Sequence, residues 1–329
     1  MAVGARREFM AWMGGTWLAT HAHARRRANT WRVAELKIIE HPALNADANG
    51  FAAGLAAAGF TEGHNLQIAR FDAQGLPART QSLARQIMDA DYDLVHTIAT
   101  LPSQEIHRRS EGRPVVFSSV TDPVFAGIVP ATVALGQRTG TNVTGVSDRW
   151  PVELQFHVYA GIAPQAKIWA TVYNPAEPNS VVHVKHMRIA AHARGLQLLE
   201  AQVHHPQEVL QAALQLAPQV HAFTITSDNT TVSRMQDLVA VCNSFRIPLF
   251  AGDTDSVERG AIAAYGLDYH LVGYAAGRKA ALILKGHPPG EIAWTPMEKF
   301  SLVLNLRAAK QQGIQLPATL QARANRIVS

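Results

Sequence analysis

Acidic and hydroxyl side chains cluster directly after an apolar run at residues 247–250, which the sequence predicts to be a short buried strand. Asp253, Asp255 and Ser256 follow that run within a few positions. In open α/β sheets, ligands bind beyond the carboxyl ends of the strands, where these three side chains would lie. The residue types suit the binding of a small polar molecule better than a covalent reaction.

Similar polar clusters follow most of the other apolar runs. Helix capping accounts for some of these side chains, such as Ser180, because every strand-to-helix turn favours Ser, Thr, Asp or Asn. Capping does not explain why Glu177, Asp228, Asp253 and Asp255 would meet along one sheet edge. Grouped carboxylates are costly unless a cation joins them, and helix N-termini at the same edge can bind an anion. A ligand that carries both an ammonium and a carboxylate, an α-amino acid, would satisfy both conditions.

Catalytic and metal-binding patterns are weak by comparison, and we predict no catalytic residue and no metal site. The sequence contains no dinucleotide fingerprint, P-loop or nucleophile elbow. Cys242 is the single cysteine and lies in a helical pattern, which indicates a core thiol and excludes an internal disulfide. His183 and His186 are one helical turn apart but lack matching carboxylates, so a surface position is favoured over a metal site. General acid–base catalysis by Asp253 and Asp255 is a less favoured alternative to ligand binding.

The composition is that of a folded protein with one large domain or two ordinary ones. The chain has 329 residues, of which 47% are hydrophobic and 17% are charged. The net charge of +5 comes partly from arginines near the N-terminus, and no later basic block is interleaved with aromatic residues. Nucleic acid is therefore not an expected partner. No run of about 18 apolar residues is present, so no ordinary transmembrane helix is predicted.

Apolar runs and helical patterns alternate from Val33 onward and must position the polar clusters. This alternation predicts parallel sheets with right-handed crossovers. Because the scheme repeats in the second half of the chain, we expect an α/β protein with two doubly wound parallel-sheet lobes. Breaks in the pattern near residues 148–151 and near Gly266 are candidate hinges.

Residues 1–24 differ from the rest and have the order of an export signal. Arg6 and Arg7 precede a mildly apolar stretch, and Ala22-His23-Ala24 is a small-x-small pattern that suits a signal peptidase. The arginine pair resembles the twin-arginine type of signal, with the general export route as the alternative. We therefore expect a periplasmic protein, unless the start codon is mis-assigned or this segment is a tail.

Several segments, taken together and in order, carry a resemblance to a known family. They are EHPALNA (40–46), SVTDPVFAGIV (119–129), NVTGVSD (142–148), YNPAEPNS (173–180), TSDNT (226–230) and AGDTDSVERGAIAA (251–264). The chain resembles the substrate-binding proteins of ABC transporters that have the type I periplasmic binding protein fold. Within that family it is most similar to the branch that binds tryptophan and other aromatic amino acids. The resemblance extends from about Val33 to the C-terminus.

The resemblance implies a bilobal protein that closes on its ligand about a hinge formed by three crossovers. Lobe 1 would comprise residues 31–147 and 266–292, and lobe 2 residues 148–265 and 293–329. The family implies no cofactor, an amino acid or aromatic acid as the ligand, and delivery of that ligand to an ABC transporter permease by a monomer. A sensor protein that serves a receptor and, less favoured, an enzyme on the same scaffold remain alternatives.

The resemblance also implies a set of ligand-binding residues. They are Glu40, His41, Thr100, Leu101, Thr121 and Asp122 from lobe 1, Asp148 at the hinge, and Glu177, Asn179, Ser180, Asp228, Asn229, Asp253, Asp255 and Ser256 from lobe 2. We expect the ligand ammonium at Glu177, Asp228 or Asp253. We expect its carboxylate at Thr100, Thr121 or Ser180. Leu101, Pro102 and Phe125 are candidates for the pocket that holds the ligand side chain.

Overall fold

The structure is a computed structural model that describes residues 30–329. The predicted export signal, residues 1–24, lies outside the described residues. Between residues 30 and 329, no helix combines the length and the apolar character needed to cross a bilayer.

Lobe 1 is built on a parallel sheet of six strands within the described chain. The strands are β1 (Trp31–Lys37), β2 (Leu66–Asp72), β3 (Leu94–Ile98), β4 (Val115–Ser118), β5 (Val143–Ser147) and β11 (Thr295–Pro296). Their order in the sheet is β11-β5-β4-β3-β1-β2. The helices of this lobe are α1 (Pro42–Ala56), α2 (Pro77–Asp89), α3 (Thr100–His107) and α10 (Tyr269–Leu284). The strands β3, β4 and β5 are buried along their whole length, as expected when helices cover both faces of a parallel sheet.

Lobe 2 contains a seven-stranded sheet within residues 30–329. The strands are β6 (Ile168–Tyr173), β7 (Gln197–Gln202), β8 (Ala222–Thr224), β9 (Leu249–Asp253), β10 (Ala263–Leu267), β12 (Phe300–Asn305) and β13 (Arg326–Val328). Their order is β13-β12-β10-β9-β8-β6-β7, and the pair β10 and β12 is antiparallel. The helices are α4 (Val152–Ile162), α5 (Pro178–His192), α6 (Val209–Leu216), α7 (Asn229–Ser233), α8 (Met235–Phe245), α9 (Asp255–Glu258), α11 (Leu306–Gln311) and α12 (Ala318–Gln321).

The chain passes between the lobes after β5, after β10 and after β11. The predicted class, an α/β protein with two parallel-sheet lobes, is confirmed. The strand β10 still belongs to the lobe 2 sheet, so the second passage follows Leu267. The strand β11 pairs with β5, so lobe 1 extends to Pro296 instead of residue 292. A two-residue strand has too little periodicity to be recognised in a sequence.

The helices α1 and α10 pack against each other at backbone distance. Each carries two glycines four positions apart, Gly50 and Gly54 on α1 and Gly273 and Gly277 on α10. A Cβ atom on Gly273 would lie 1.8 Å from the carbonyl oxygen of Asp47. The missing side chains therefore permit the close approach. As a result, the first turns of α1 and α10 lie side by side at the cleft between the lobes.

Candidate functional site

A cavity with about 340 Å³ of empty space, including its mouth, lies between the two lobes. It is lined by His41, Ala43, Leu44, Ala99, Ser119, Thr121, Asp148, Trp150, Asn179, Ser227, Asn229, Val232, Asp253 and Tyr269. Both lobes and the hinge contribute to this set. The cavity combines apolar walls with a few polar groups, as small-molecule sites commonly do.

The cavity brings together part of the set that the sequence predicted. The predicted residues that line it are His41, Thr121, Asp148, Asn179, Asn229 and Asp253. They come from elements far apart in the chain, namely the start of α1, the ends of β4, β5 and β9, and the starts of α5 and α7. The parallel sheets place these strand ends and helix starts at the same cleft.

Four of the predicted lobe 1 residues lie outside the cavity lining, namely Glu40, Leu101, Asp122 and Thr100, which begins α3. Glu40 is exposed, with its carboxylate 3.6 Å from Lys37 Nζ. Asp122 accepts a hydrogen bond of 2.9 Å from the backbone N–H of Phe125 and faces a separate groove beside the hinge. Leu101 is half-buried on α3 without lining the cavity.

Glu177, Ser180 and Asp228 hold segments of lobe 2 together instead of lining the cavity. Asp228 caps α7 through a 2.6 Å bond from Thr231 N and also accepts bonds from Ser180 Oγ (2.5 Å) and Asn174 N (2.7 Å). Burial, reinforced by the charge of Glu177, raises the pKa of Asp228 to about 7.

Glu177 has its oxygens saturated in the same way. It accepts bonds from the backbone N–H groups of Asn229 and Thr230, both at 2.9 Å, and from their side chains at 2.7 Å. Internal donors therefore engage the oxygens of Glu177 and Asp228, and neither carboxylate lines the cavity.

Ser256 and Asp255 lie on α9, directly behind the cavity. Ser256 donates from its backbone N–H (2.7 Å) and from its hydroxyl (2.8 Å) to the two oxygens of Asp253, so it orients that carboxylate. Asp255 is not part of the cavity lining, and among the described residues its buried Oδ2 atom has no hydrogen-bond partner. Burial, with the neighbouring charges of Asp253, Asp268 and Glu258, raises its pKa to about 7.

Asp148 and Asp253 are the two carboxylates that line the cavity, and both are 2% exposed. Asp148 accepts hydrogen bonds from Thr121 Oγ1 (3.1 Å) and from Tyr269 OH (2.6 Å). Burial raises the pKa of each carboxyl group, and hydrogen bonds oppose that shift, as does the charge of Arg259 for Asp253. Within residues 30–329, neither carboxylate forms an ion pair with a cationic side chain. The cavity therefore holds two carboxylates without a bound counter-charge.

Most side-chain hydrogens around the cavity are already donated to other protein groups. Ser119 donates to Asp47, Thr121 and Tyr269 donate to Asp148, and Trp150 Nε1 donates to Tyr269 OH at 3.2 Å. Toward the cavity, these side chains therefore offer mainly oxygen lone pairs, which accept hydrogen bonds.

Ser227 completes this pattern on the lobe 2 side of the cavity. The Nδ1 atom of His183 accepts a 3.2 Å bond from Ser227 N, so that nitrogen carries no proton and the Ser227 hydroxyl at 2.8 Å also donates to it. His183 is buried, so the surface position predicted for it is wrong, and burial lowers its pKa to about 3, which keeps the ring neutral. The polar side chains of the cavity are thus arranged to receive a hydrogen-bond donor.

A hydrogen bond and a contact between two hydroxyl oxygens link the lobes across the cavity. His41 Nε2 lies 3.3 Å from Asn229 Oδ1, and Thr121 Oγ1 lies 3.3 Å from Ser227 Oγ. His41 also accepts a 3.5 Å bond at Nδ1 from Leu44 N and so caps α1, which makes Nε2 the protonated nitrogen. Burial, with smaller contributions from Arg259 and Lys37, lowers the pKa of His41 to about 4. The lobes are therefore closed on each other around a neutral His41.

Sequence reasoning missed the aromatic residues of the site. Trp150 and Tyr269 line the cavity directly beside the first and second passages between the lobes. The Trp150 ring stacks on His183 at 4.8 Å and covers Gly252, where a Cβ atom would lie 2.0 Å from the ring. Their positions next to the two predicted hinges are the feature of the sequence that could have identified Trp150 and Tyr269 as site residues. Ser119 and Ser227 were visible in polar clusters, but nothing in the sequence separated them from capping residues.

The start of α3 lies beside the cavity through Ala99, its N-cap residue. The helix begins at Thr100, and Pro102 is tolerated within its first turn. Thr100 is 2% exposed, and among the described residues its hydroxyl has no hydrogen-bond partner. The first N–H groups of a helix also lack partners inside the helix. This helix start therefore offers unused donors next to the acceptor-rich wall.

Comparison with known proteins identifies the class to which this fold and cavity belong. Residues 32–328 match the family model described as ABC transporter substrate binding protein. The chain therefore belongs to the family of ABC transporter substrate-binding proteins.

Individual members of the family are similar to this chain over most of its length. A tyrosine-binding protein of Clostridioides difficile is 30% identical over 279 residues, which cover 85% of this chain and 80% of that protein. A solved domain from Streptococcus pneumonia in complex with L-Trp is 26% identical and has a TM-score of 0.85, covering 91% of this chain and 100% of that one.

A third similar protein has been solved without a ligand. It is the ligand-free, open structure of a substrate-binding protein with adhesive properties from Clostridium difficile. It is 28% identical and has the same coverage, 91% of this chain and 100% of that one, but its TM-score is 0.67. In the present structure His41 and Asn229 are in hydrogen-bond contact across the cavity, so the lobes are closed on each other.

Proposed function

We propose that this protein binds an amino acid, with tryptophan, tyrosine or phenylalanine favoured, in the cavity between its lobes and delivers it to the permease of an ABC importer. The pair of cavity carboxylates, Asp148 and Asp253, carries the proposal, because two buried carboxylates with raised pKa values favour a cationic ligand group. The tyrosine-binding relative and the L-Trp complex support an aromatic amino acid as that ligand.

The ligand ammonium would bind between Asp148 and Asp253. An ammonium has three N–H donors and no acceptor, which complements a wall whose side chains offer mainly lone pairs. Asp148 lies at the hinge and Asp253 on lobe 2, so one ammonium in contact with both ties the lobe 2 wall to the hinge. Such a ligand stabilises the closed state because it interacts better with that state than with the open one.

The ligand carboxylate would bind at the start of α3, which belongs to lobe 1. The unpartnered Thr100 hydroxyl and the free N–H groups of the first turn supply donors there, and the helix dipole favours an anion. The ligand backbone would thereby span the cleft from lobe 1 to the two carboxylates. Its side chain would pack on the apolar part of the lining, which includes Leu44, Trp150 and Val232.

Delivery to a permease, a periplasmic location and a monomeric state complete the proposal. Membership of the family of ABC transporter substrate-binding proteins supports the transport role. A periplasmic location would follow from cleavage of the export signal predicted within residues 1–24. The closed lobes would present a surface that differs from the open form, which lets a permease recognise the loaded protein.

Thermal denaturation of the purified protein against the twenty amino acids tests the proposal. A ligand that binds only the folded state raises stability by RT ln(1 + [L]/Kd), so at 100 times Kd the gain is about 2.7 kcal/mol. We expect a clear rise in Tm with one or more of the three aromatic amino acids and none with sugars. A Tm unchanged by every amino acid would contradict the amino-acid assignment. Turnover of the bound ligand, followed by mass spectrometry, would contradict a binding-only role.

A further inference from the structure

A chain of buried polar side chains runs through lobe 1 and ends at the cavity. Glu35 on β1, His96 on β3 and Ser118 on β4 are neighbours across the sheet, with His96 Nδ1 3.1 Å from Glu35 Oε2 and His96 Nε2 2.8 Å from Ser118 Oγ. Ser118 donates to Asp47 Oδ1 at 2.9 Å, and Ser119 donates to Asp47 Oδ2. Ser119 lines the cavity, whereas the other four side chains are 0–2% exposed and are not part of its lining.

The position of Asp47 is fixed from both sides. The α10 backbone lies against it at Gly273, where a Cβ atom would come within 2.7 Å of Asp47 Oδ1. Phe51, one turn further along α1, stacks on the His96 ring with 3.6 Å between the ring centroids. The two oxygens of Asp47 are therefore held toward Ser118 and Ser119.

We propose that Asp47 is a positioning residue that locks the Ser119 hydroxyl with its hydrogen turned away from the cavity, so that Ser119 reads an N–H or O–H donor on the ligand. This inference rests on the proposed function and adds a specificity-determining pair to the same site. A serine hydroxyl has one hydrogen, and once that hydrogen is donated to Asp47 only its lone pairs are left for a ligand.

The Ser119 hydroxyl donates its hydrogen to Asp47 whether the Asp47 carboxyl group is ionised or protonated. When Asp47 is ionised, Oδ1 accepts a hydrogen bond from Ser118 and Oδ2 accepts one from Ser119. When Asp47 is protonated, the proton belongs on Oδ1, because Ser118 can pass its own hydrogen to His96 Nε2. Ser119 donates to Oδ2 in both cases. Burial, opposed by His96 and the two serines, raises the pKa of Asp47 to about 7, so both forms are relevant near neutral pH.

Burying so many polar groups is costly, which argues that the chain serves a purpose beyond packing. A fully connected network fixes its members in one arrangement, at the cost of the desolvation of each group. Arg70 Nε, 3.6 Å from Glu35 Oε1, balances the charge at the outer end. At the inner end the network terminates on one cavity hydroxyl, whose backbone φ of 54° is also unusual for a serine.

The test is a set of dissociation constants, measured by calorimetry for tryptophan, tyrosine and phenylalanine. Ser119→Ala should weaken binding by about tenfold, the usual range for one lost hydrogen bond to a charged or buried donor. If Ser119→Ala weakens the binding of all three ligands equally, the ligand group that donates to Ser119 is the ammonium. Weakening for tryptophan and tyrosine alone assigns the donor to the side-chain N–H or O–H, which phenylalanine lacks. Unchanged affinity for all three ligands overturns the proposal.

A double-mutant cycle separates positioning from general structural support. Asp47→Ala frees the Ser119 hydrogen, so Ser119→Ala should cost much less affinity in that background than in the wild type. Additive losses would overturn the role of Asp47. If Asp47→Ala does not fold, Ser119→Ala on its own still decides whether Ser119 reads a donor.

The matched control is Thr144→Val, which removes another buried hydroxyl from the lobe 1 sheet. Thr144 donates to the carbonyl of Ile292 at 2.8 Å, and neither residue lines the cavity, so its loss should leave all three dissociation constants unchanged. A wild-type protein that binds none of the three ligands overturns the proposed function and this inference with it. A wild-type protein that binds them while Ser119→Ala does so equally well overturns this inference alone.

Discussion

Asp228 and Asp253 are both buried aspartates at the ends of lobe 2 strands, yet only Asp253 reaches the cavity. Asp228 receives a hydrogen bond from its own turn, through Thr231, and two from the region where β6 leads into α5, through Asn174 and Ser180. Asp253 receives both of its bonds from one residue of its own turn, Ser256. The Asp228 carboxylate therefore holds parts of lobe 2 together. The Asp253 carboxylate is oriented by Ser256 and still lines the cavity, where a ligand can contact it.

Removing Asp228 should give the largest effect, and the effect should be on stability. Asp228→Ala leaves three buried donors unpaired, and each costs roughly 1–3 kcal/mol, so we expect a loss of about 3 kcal/mol in the free energy of unfolding. Urea denaturation measures it. Asp89→Ala, at an exposed position on α2, is the control and should change stability by less than about 0.5 kcal/mol. A variant as stable as the wild type but unable to bind ligand would reverse the roles given to Asp228 and Asp253.

Neutralising a cavity carboxylate should act on affinity instead. Asp253→Asn and Asp148→Asn each keep the side-chain volume but lose the charge that we assign to the ligand ammonium. We expect Kd to rise by about tenfold or more, equivalent to roughly 1.4 kcal/mol, in calorimetric titrations with the best ligand. Normal affinity in both variants would show that the ammonium binds elsewhere.

Acidification should weaken binding, because closure buries His41 as a neutral ring. The pKa of His41 is lowered from 6.5 to about 4 in the closed state, so protons bind preferentially to the open state. Closure therefore keeps its full stability above pH 6.5 and loses it as the pH falls from 6.5 toward 4. At pH 5.5 this linkage amounts to at most about a tenfold rise in Kd.

The raised pKa values of Asp148 and Asp253 act in the same direction, because protonation removes their attraction for an ammonium. Titrations of His41→Asn between pH 5 and 8 separate the two contributions. The variant should keep only the part due to the carboxylates. A pH profile identical to that of the wild type would exclude His41 as a contributor.

The smallest expected effect concerns the hydroxyl that orients Asp148. Tyr269→Phe removes the 2.6 Å hydrogen bond to Asp148 but keeps the ring in place. We expect Kd to rise by about threefold to tenfold, the range for one net hydrogen bond. We also expect the acid midpoint of binding to move upward, because Asp148 loses a bond that lowers its pKa. A midpoint that stays in place would indicate that Asp253 alone carries the ammonium.

The sequence by itself determined the fold class and where to look for the site. Alternating apolar runs and helical patterns are local, and parallel strands necessarily bring their carboxyl ends to one edge, so the polar clusters had to gather at the cleft. Resemblance to the family supplied the closing lobes and the three passages. The weak points were short elements such as β11, which have too few residues to show a period.

Only the tertiary structure decided which polar side chains the cavity exposes. Asp228 and Asp253 look alike in sequence, because capping and ligand binding use the same residue types at the same strand ends. The difference arises from donors such as Asn174 and Ser180, which lie far from Asp228 in the chain. The same holds for the lock on Ser119, since Asp47 reaches it only because glycines let α1 and α10 pack at backbone distance.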